Sequence, residues 1–310
     1  MTSLAISNSS ALLTQTILIE LLAFHPEGHK EIDLGSLPLY NKIFQYVERG
    51  EKLQFILPAF PAKSSNREKT IGILPDLGEF LGLTRLQNLC QKIQRIYEPG
   101  AEVLICSDGR VFNDLVLVPD EDLMQYQSAI KAMIADHQFN HLKTFSLDEC
   151  FGDISFEAMR VKFMRLFGEE LDILKQRVGK DPHELSLFNG IHRFITEDRL
   201  ALIPDKSKNQ ISKESKLVTF QVMNRSKAWD RLLLSFFPEA LRLSIHPYPV
   251  KHHKFGLKLV DSNSSWATPW HNAVLKTNEG FTLVKNKEAK SKGILRHHLG
   301  LYAYYDQTYS

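Results

Sequence analysis

Short apolar segments alternate with amphipathic helical patterns in the first half of the chain. Residues 52–60, 102–107 and 141–146 are apolar or alternating and are bounded by Pro, Gly or Asp, which is typical of strands. Between them, residues 79–97 and 120–137 place apolar side chains on one stripe at helical spacing. Strands that alternate with helices form parallel sheets with helices on both faces. We therefore predict an α/β fold, with a Rossmann-like parallel sheet flanked by helices.

The second half of the chain has a different pattern. Residues 205–216 are polar and are predicted to form an exposed loop that leads into another helix. Strand candidates then follow one another with short loops, as antiparallel strands do, at 241–246, 255–260, 266–275 and 281–285. We predict a domain boundary near residue 205. Residues 1–205 would form the Rossmann-like domain, and residues 206–310 a smaller mixed α+β part that completes the active site.

Two further helices are predicted from the residues that begin them. Ser10 precedes an apolar run and is predicted to cap an N-terminal helix, and Asp181 with Pro182 predicts a helix that continues to about residue 194. The start of the chain lacks the basic residues of a secretory signal, and no uncharged apolar run reaches the ~18 residues needed to span a bilayer. We expect a cytoplasmic protein that does not bind membranes.

The composition argues against several classes of function. A formal net charge of +2 at pH 7 is too small to indicate a face that binds nucleic acid. The three cysteines have no metal-like or redox-like spacing, and the 12 histidines form neither a His-Glu-x-x-His nor a His-x-Asp motif. No Gly-x-Gly-x-x-Gly follows a predicted strand, so NAD or FAD binding is unsupported. We expect neither a metal nor a cofactor.

Residues 241–246 alternate strictly between apolar and polar side chains. The period of two predicts a half-buried strand, with its aliphatic side chains on one face and Arg242, Ser244 and His246 on the other. A permanent cation, a hydroxyl and a group that titrates near neutral pH together suit an anion such as a phosphate or a carboxylate. Pro247 and Pro249 are predicted to end the strand.

Two predicted strand ends lead into loops with suggestive residues. Residues 60–70 carry Lys63, Ser64 and Arg67, which could cradle a phosphate, although the segment is not a P-loop and could equally be a solvated, mobile loop. Residues 107–114 include Asp108, which could accept hydrogen bonds from a sugar or an amine, followed by Gly109, which would permit a sharp turn. Asp-Gly is also a common turn without any function.

The segment 266–272 combines aromatic residues with a histidine. Thr268 and Trp270 would share one side of a strand and His271 the other, which could make an aromatic wall beside a group that transfers protons. The same residues could be ordinary core aromatics with a satisfied histidine. Arg225 and Trp229, on the helix before Pro238, are open to the same two interpretations.

Several segments, taken in order, resemble the isocyanide (isonitrile) synthases, also called the pyoverdine/dityrosine biosynthesis family. Each segment alone is a weak motif, but the ordered set is specific and covers about residues 50–275. The matching segments are Pro58-Ala59-Phe60-Pro61-Ala62-Lys63-Ser64, Pro75-Asp76-Leu77-Gly78-Glu79, Tyr97-Glu98-Pro99-Gly100-Ala101, Ser107-Asp108-Gly109-Arg110-Val111-Phe112, the segment from Arg225 to Trp229, Arg242-Leu243-Ser244-Ile245-His246-Pro247 and Thr268-Pro269-Trp270-His271.

The resemblance implies a cofactor-free reaction between an aromatic amino acid and ribulose 5-phosphate. The amine would condense with the ketone of the sugar. Fragmentation of the sugar with loss of phosphate would then leave the former ketone carbon on nitrogen as the isocyanide. Members of this family use tyrosine or tryptophan, and they often act beside an iron/2-oxoglutarate oxygenase that modifies the product.

The matching motifs supply candidate residues for this chemistry. We expect His246 and His271 to act as acids or bases, and Asp108 to contact the amine or the sugar. Lys63 would pair with the phosphate, or alternatively form a Schiff base with the ketose. The remaining candidates would bind the substrates through charge, hydroxyl groups or aromatic stacking, namely Ser64, Arg67, Arg110, Arg225, Arg242, Ser244, Thr268, Trp266 and Trp270.

Three other functions stay open at this point. A member of the same family could instead N-formylate tyrosine, and the mass of the product would distinguish that reaction. A non-catalytic sensor would bind a sugar phosphate and an amino acid without releasing phosphate. An oxidoreductase would require a nicotinamide cofactor, and NAD(P)H should then stabilise the protein in a thermal melt.

Overall fold

A computed structural model describes residues 2–26, 32–246 and 248–307. The helices are α1 (Thr2–Leu22), α2 (Pro38–Arg49), α3 (Leu77–Ile96), α4 (Gly109–Phe112), α5 (Asp120–Asp136), α6 (Leu147–Phe151), α7 (Phe156–Phe167), α8 (Leu171–Val178), α9 (Pro182–Leu202), α10 (Lys208–Phe236) and α11 (Asn286–Lys292), with 3₁₀ turns at Leu34–Ser36 and Pro269–His271. The strands are β1 (Leu53–Pro58), β2 (Ala101–Cys106), β3 (Leu142–Phe145), β4 (Leu241–Ser244), β5 (Phe255–Gly256), β6 (Ala273–Thr277), β7 (Gly280–Val284), β8 (Gly293–His298) and β9 (Leu301–Asp306).

The larger sheet contains five parallel strands in the order β3-β2-β1-β4-β5. β1 and β3 fall within the segments predicted from the sequence, and β2 begins one residue before its predicted segment. The α/β fold with a helix-flanked parallel sheet is confirmed. Strands that are buried on both faces carry near-continuous apolar runs. In β1 this run is Phe55, Ile56 and Leu57, and none of these residues has exposed surface.

Helices cover both faces of this sheet. One face carries the main core, to which α1, α2 and α3 contribute. The other face carries a second core around Trp229 of α10, which packs against Phe145 and Phe163. Trp229 is therefore a core residue, in agreement with the structural interpretation of that position. Among the described residues, no helix combines the length and the apolar character needed to cross a bilayer.

The ends of several helices follow from their caps. Asp76 begins α3 by accepting a hydrogen bond from the backbone N–H of Gly78 at 2.8 Å, and Glu79 completes a capping box. Asp181 caps α9 as predicted, although that helix continues to Leu202 rather than stopping near residue 194. The sequence also suggests Asp120 as the cap of the helix predicted at 120–137, but Asp120 is the first residue of α5 and the capping position is occupied by Pro119.

Two predictions of helix boundaries are wrong. Ser10 lies inside α1, which begins eight residues earlier, at Thr2. Residues 205–216 are not a loop throughout, because α10 begins at Lys208 after the cap Ser207. The polar residues there form the exposed face of an amphipathic helix, whose buried face includes Ile211 and Ser215.

The strands after residue 240 also differ from the prediction. β4 and β5 are parallel members of the larger sheet rather than an antiparallel pair, because short connections alone do not fix strand direction. The alternating strand β4 is buried on both faces rather than one. The candidate at 255–260 shortens to β5, and the candidate at 266–275 is replaced by β6, which begins later and ends two residues beyond it. Pro247 lies outside the described residues.

The smaller sheet is mixed, as predicted for the C-terminal part, with the order β7-β6-β9-β8. β6 and β7 form an antiparallel hairpin, whereas β6 pairs with β9 in parallel. Since β4 and β5 follow residue 205 and complete the larger sheet, the two predicted parts share that sheet. The division into residues 1–205 and 206–310 stays a prediction.

Candidate active site

The candidate site lies where the strand order of the larger sheet reverses. From β1 the chain builds outward through β2 to β3, and then returns to place β4 on the other side of β1. In such sheets, ligands bind outside the carboxyl ends of the strands at this point. The segments that leave these ends are residues 59–76, 107–108 and 245–254. The loop residues predicted to bind substrate come from these same segments.

The loops after β1 and β2 touch each other. The hydroxyl of Ser107 donates a hydrogen bond to the carbonyl of Phe60 at 3.0 Å. A Cβ atom added to Gly109 would lie 2.2 Å from the carbonyl oxygen of Pro61, so no larger residue fits there without a shift of backbone. Gly109 is thus needed for the close approach of two loops, a different reason from the sharp turn that the sequence indicated.

Asp230 of α10 holds two cations at the end of β4. Its Oδ1 accepts a hydrogen bond from Arg242 at 2.5 Å, and its Oδ2 accepts one from Lys254. Burial would raise the pKa of Asp230, but the two cations outweigh it and keep the pKa below its ordinary value. Burial and the adjacent Arg242 lower the pKa of Lys254, although Asp230 opposes them. The cluster carries one positive charge in excess.

His246 and Asp108 adjoin this charged cluster. Burial and the neighbouring Lys254 lower the pKa of His246 to about 4, so its imidazole is neutral at pH 7. Burial, together with the negative charge of Asp230, raises the pKa of Asp108 to about 7. Asp108 can thus gain and lose a proton near neutral pH, whereas His246 presents a neutral imidazole beside it. Ser244 helps to orient His246, because its hydroxyl accepts a hydrogen bond from the backbone N–H of His246 at 3.1 Å.

Lys63 is enclosed by protein groups. Its Nζ donates hydrogen bonds to Asp76 Oδ2 and Glu79 Oε2, both at 2.8 Å, and to the carbonyl oxygen of Pro269 at 2.9 Å. Burial would lower the pKa of Lys63, but the two carboxylates outweigh it and raise the pKa. All three hydrogens of the ammonium are used and the amine stays protonated. This placement speaks against both the phosphate pairing and the Schiff base predicted for Lys63.

The rest of the loop after β1 is ordered by Asp198 of α9. This carboxylate pairs with Lys69 at 2.6 Å and accepts hydrogen bonds from Asn66 at 2.9 Å and from Ser64 at 3.5 Å. Arg67 turns back onto its own loop, where it donates to Thr70 Oγ1 at 3.2 Å. The alternative of a solvated, mobile loop is therefore wrong, since the loop residues Ser64, Asn66, Lys69 and Thr70 are all buried. Ser64 and Arg67 both have partners within the protein.

Arg225 and Arg110 secure the segment around α4. Arg225 binds Asp114 through both of its terminal nitrogens, at 2.5 and 3.0 Å, and donates to the carbonyl of Val111 at 2.8 Å. Arg110 pairs with Asp148 at 3.0 Å. Each guanidinium thus already has a carboxylate partner, and the two ion pairs tie α4 and the residues after it to α10 and α6.

The residues of the aromatic segment 266–272 lie in two different environments. Trp270 is buried against the ring of Phe60, with ring centroids 5.3 Å apart, as the interpretation as a core residue expects. His271 lies beside Phe194 at 4.5 Å, and burial with the nearby Lys69 and Lys63 keeps its pKa well below the ordinary value. Trp266, by contrast, lies with its ring 5.2 Å from that of His246.

The structure therefore gathers Arg242, Ser244, His246 and Asp108 at one place and puts Lys63 and His271 in another. Sequence reasoning missed Asp230 and Lys254. The only signal for Lys254 was its position in the loop after a predicted strand, and nothing in the sequence marks Asp230. Among the described residues, no group of three or more His, Cys, Asp or Glu side chains lies close enough to hold a metal ion.

Comparison with known proteins identifies relatives along most of the chain. Residues 43–296 match the family described as pyoverdine/dityrosine biosynthesis protein. An L-tryptophan isonitrile synthase of Fischerella ambigua is 41% identical over 268 residues, which cover 86% of this chain and 81% of that protein. An L-tyrosine isonitrile synthase of Pseudomonas aeruginosa is 38% identical over 271 residues, covering 85% and 81%.

The fold agrees with these matches. The crystal structure of the PvcA protein from Pseudomonas aeruginosa superimposes with a TM-score of 0.84 at 34% identity, over 94% of this chain and 98% of that one. Both the extent of the family match and the identities are too large for a chance similarity of fold. The chain belongs to the pyoverdine/dityrosine biosynthesis protein family, which is the family that its ordered motifs resemble.

Proposed function

We propose that the protein is an isocyanide synthase that acts on tyrosine or tryptophan. It converts the amino group into an isocyanide, takes the carbon from ribulose 5-phosphate, releases phosphate and needs no cofactor. The observation that carries this proposal is the Arg242–Asp230–Lys254 cluster beside His246, in a chain 41% and 38% identical to a tryptophan and a tyrosine isonitrile synthase. Neither the sugar phosphate nor the choice of amino acid follows from the relatives' names.

The charged cluster suits the phosphate of the sugar. Arg242 and Lys254 share the single carboxylate of Asp230, so a dianionic phosphate finds one uncompensated positive charge and several N–H donors. The side chain of Arg242 is only 8% exposed, so little solvent screens its charge. We assign phosphate binding to Arg242 and Lys254. Lys63, Arg67, Arg110 and Arg225 instead shape the loops that surround the site.

Imine formation requires proton transfer in both directions. The amine of the amino acid must lose protons to attack the ketone carbon, and the ketone oxygen must gain protons to leave as water. We assign the first task to His246, because its imidazole is neutral at pH 7 and has an unprotonated ring nitrogen that can take the proton in the transition state. We assign the second to Asp108, whose raised pKa keeps a fraction of it protonated. The same two groups can move protons while the sugar fragments and the phosphate leaves with the electron pair of its C–O bond.

The test is a reaction with defined substrates. Purified protein is incubated with ribulose 5-phosphate and, separately, with L-tyrosine and L-tryptophan, and inorganic phosphate, product mass and the isocyanide infrared band are followed. An isocyanide formed together with phosphate supports the proposal. An N-formyl product would replace it with the alternative reaction, and binding of both ligands without release of phosphate would indicate a sensor. An iron/2-oxoglutarate oxygenase is the class of partner that we propose for modifying the product.

A further inference from the structure

A cavity of about 150 Å³ lies beside the carboxyl end of β4. An engineered cavity of about this volume, lined by apolar side chains, accommodates benzene in another protein, so the space suits one aromatic ring. The walls come from four short segments and are mixed in character. Pro26, Ile245, Leu257, Leu259 and Ala267 are apolar, whereas the other six lining residues, Thr268 among them, are polar.

The cavity adjoins the proposed reaction centre. Its wall residue Ile245 directly precedes His246 in the chain. Its wall residues Ala267 and Thr268 directly follow Trp266, whose ring lies 5.2 Å from that of His246. A ring held in the cavity would therefore leave the rest of an amino acid near the imidazole of His246.

One wall residue has an unused polar group. Thr268 is 7% exposed, and its hydroxyl is buried without a hydrogen-bond partner among the described residues. A buried polar group without a partner is costly, and such groups are rare unless a ligand or water completes them. The hydroxyl oxygen can accept a hydrogen bond from a phenol O–H or an indole N–H, whereas the apolar wall residues Ile245, Leu257 and Leu259 suit the carbon atoms of a ring.

We propose that this cavity binds the aromatic side chain of the amino acid substrate, and that the hydroxyl of Thr268 accepts a hydrogen bond from the polar hydrogen of the ring. The inference rests on the proposed function and explains which amino acids the enzyme would select. Tyrosine and tryptophan carry the required hydrogen, whereas phenylalanine does not. A site built around such a hydrogen bond rejects the analogue that lacks it, because the polar group of the protein is then left unpaired.

The test measures binding without the reaction. Titration calorimetry with the full chain gives Kd for L-tyrosine, L-tryptophan and L-phenylalanine in the absence of ribulose 5-phosphate. Thr268→Val keeps the shape of the side chain and removes the hydroxyl. It should raise Kd at least ~10-fold for whichever of tyrosine and tryptophan binds more tightly, and should change Kd for phenylalanine less than ~3-fold. Thr268→Ser keeps the hydroxyl and should stay within ~3-fold of the wild type. The matched control is Thr16→Val, whose hydroxyl bonds only the carbonyl of Leu12 in its own helix.

A second variant fills the cavity. Ala267→Phe should abolish binding of all three amino acids while a thermal melt shows a folded protein. The proposal is overturned if Thr268→Val binds tyrosine and tryptophan as the wild type does, if Ala267→Phe retains binding, or if the wild type binds neither amino acid. Because binding is measured separately from isocyanide formation, an inactive protein with a hydroxyl-dependent ring site would refute the proposed function and leave the ring site standing.

Discussion

Replacement of Lys63 by methionine tests whether this lysine acts in folding or in chemistry. The ammonium lies between Asp76 and Glu79 with no exposed side-chain surface, and its single positive charge is shared by two carboxyl groups that water cannot reach. Burial, with the charge of Asp76, raises the pKa of Glu79 to about 7 despite the opposing effect of Lys63. Methionine has a similar length and fills the space, so the main loss is the charge rather than the packing. The variant leaves two neighbouring buried carboxylates without a cation, and Tyr126 as the remaining side-chain donor to Glu79.

The expected loss of stability is large. Removal of one partner from a buried ion pair costs about 3–5 kcal/mol, because the remaining charge stays buried without compensation. An unfolding entropy of about 2.1 cal/mol/K per residue, over the 310 residues of the chain, then gives a fall in Tm of roughly 5–8 °C. Urea unfolding of wild type and Lys63→Met at pH 7.5 gives the free energy difference, provided that the two m-values agree.

Two further variants sharpen the measurement. Lys63→Met combined with Glu79→Gln removes one of the uncompensated charges and should recover part of the loss. Lys287→Met removes an exposed cation, 62% accessible, that pairs with Glu68, and should leave the unfolding midpoint nearly unchanged. A loss below about 1 kcal/mol for Lys63→Met would refute the structural role. A ribulose 5-phosphate adduct on Lys63 after borohydride reduction would refute it as well, and would restore the Schiff base.

Four other predictions concern the site and the loops around it. Arg242→Ala or His246→Ala should lower kcat/KM at least ~100-fold in steady-state assays with normal circular dichroism, and near-native turnover would remove the assigned role. Because Asp108 is needed in its protonated form, kcat/KM should fall as the pH rises through about 7, and Asp108→Asn should lack that limb. The raised pKa also means that Asp108 stabilises the fold at low pH and that this contribution is lost as the pH rises through about 7. Thermal melts of Asp108→Asn at several pH values should therefore show a smaller fall of Tm with pH than melts of the wild type. Gly109→Ala should destabilise by about 1–3 kcal/mol, since its methyl group would meet the carbonyl of Pro61, and unchanged urea unfolding would refute the close approach.

The sequence by itself determined the layered parallel sheet. Apolar runs such as Phe55 to Leu57 and the helical stripe of α3 carry their periodicity locally, and the cap at Asp181 is a local signal too. Such patterns indicate which side chains of one segment are buried, because the period depends only on the backbone geometry of that segment. The period of two likewise predicted Arg242, Ser244 and His246 on one face of a strand, but β4 ends at Ser244 and is buried on both faces, and the sequence could not show that Asp230 of α10 meets Arg242.

Only the tertiary structure decided which groups meet. Asp230 comes from a different element than its partners Arg242 and Lys254, and no local period relates a helix residue to the loop and strand that it faces. The same holds for Lys63, whose charge suggested an anion as its ligand until the fold surrounded it with Asp76 and Glu79. The role of an ionisable side chain depends on the charges and the solvent within a few ångströms of it, and long-range packing sets both.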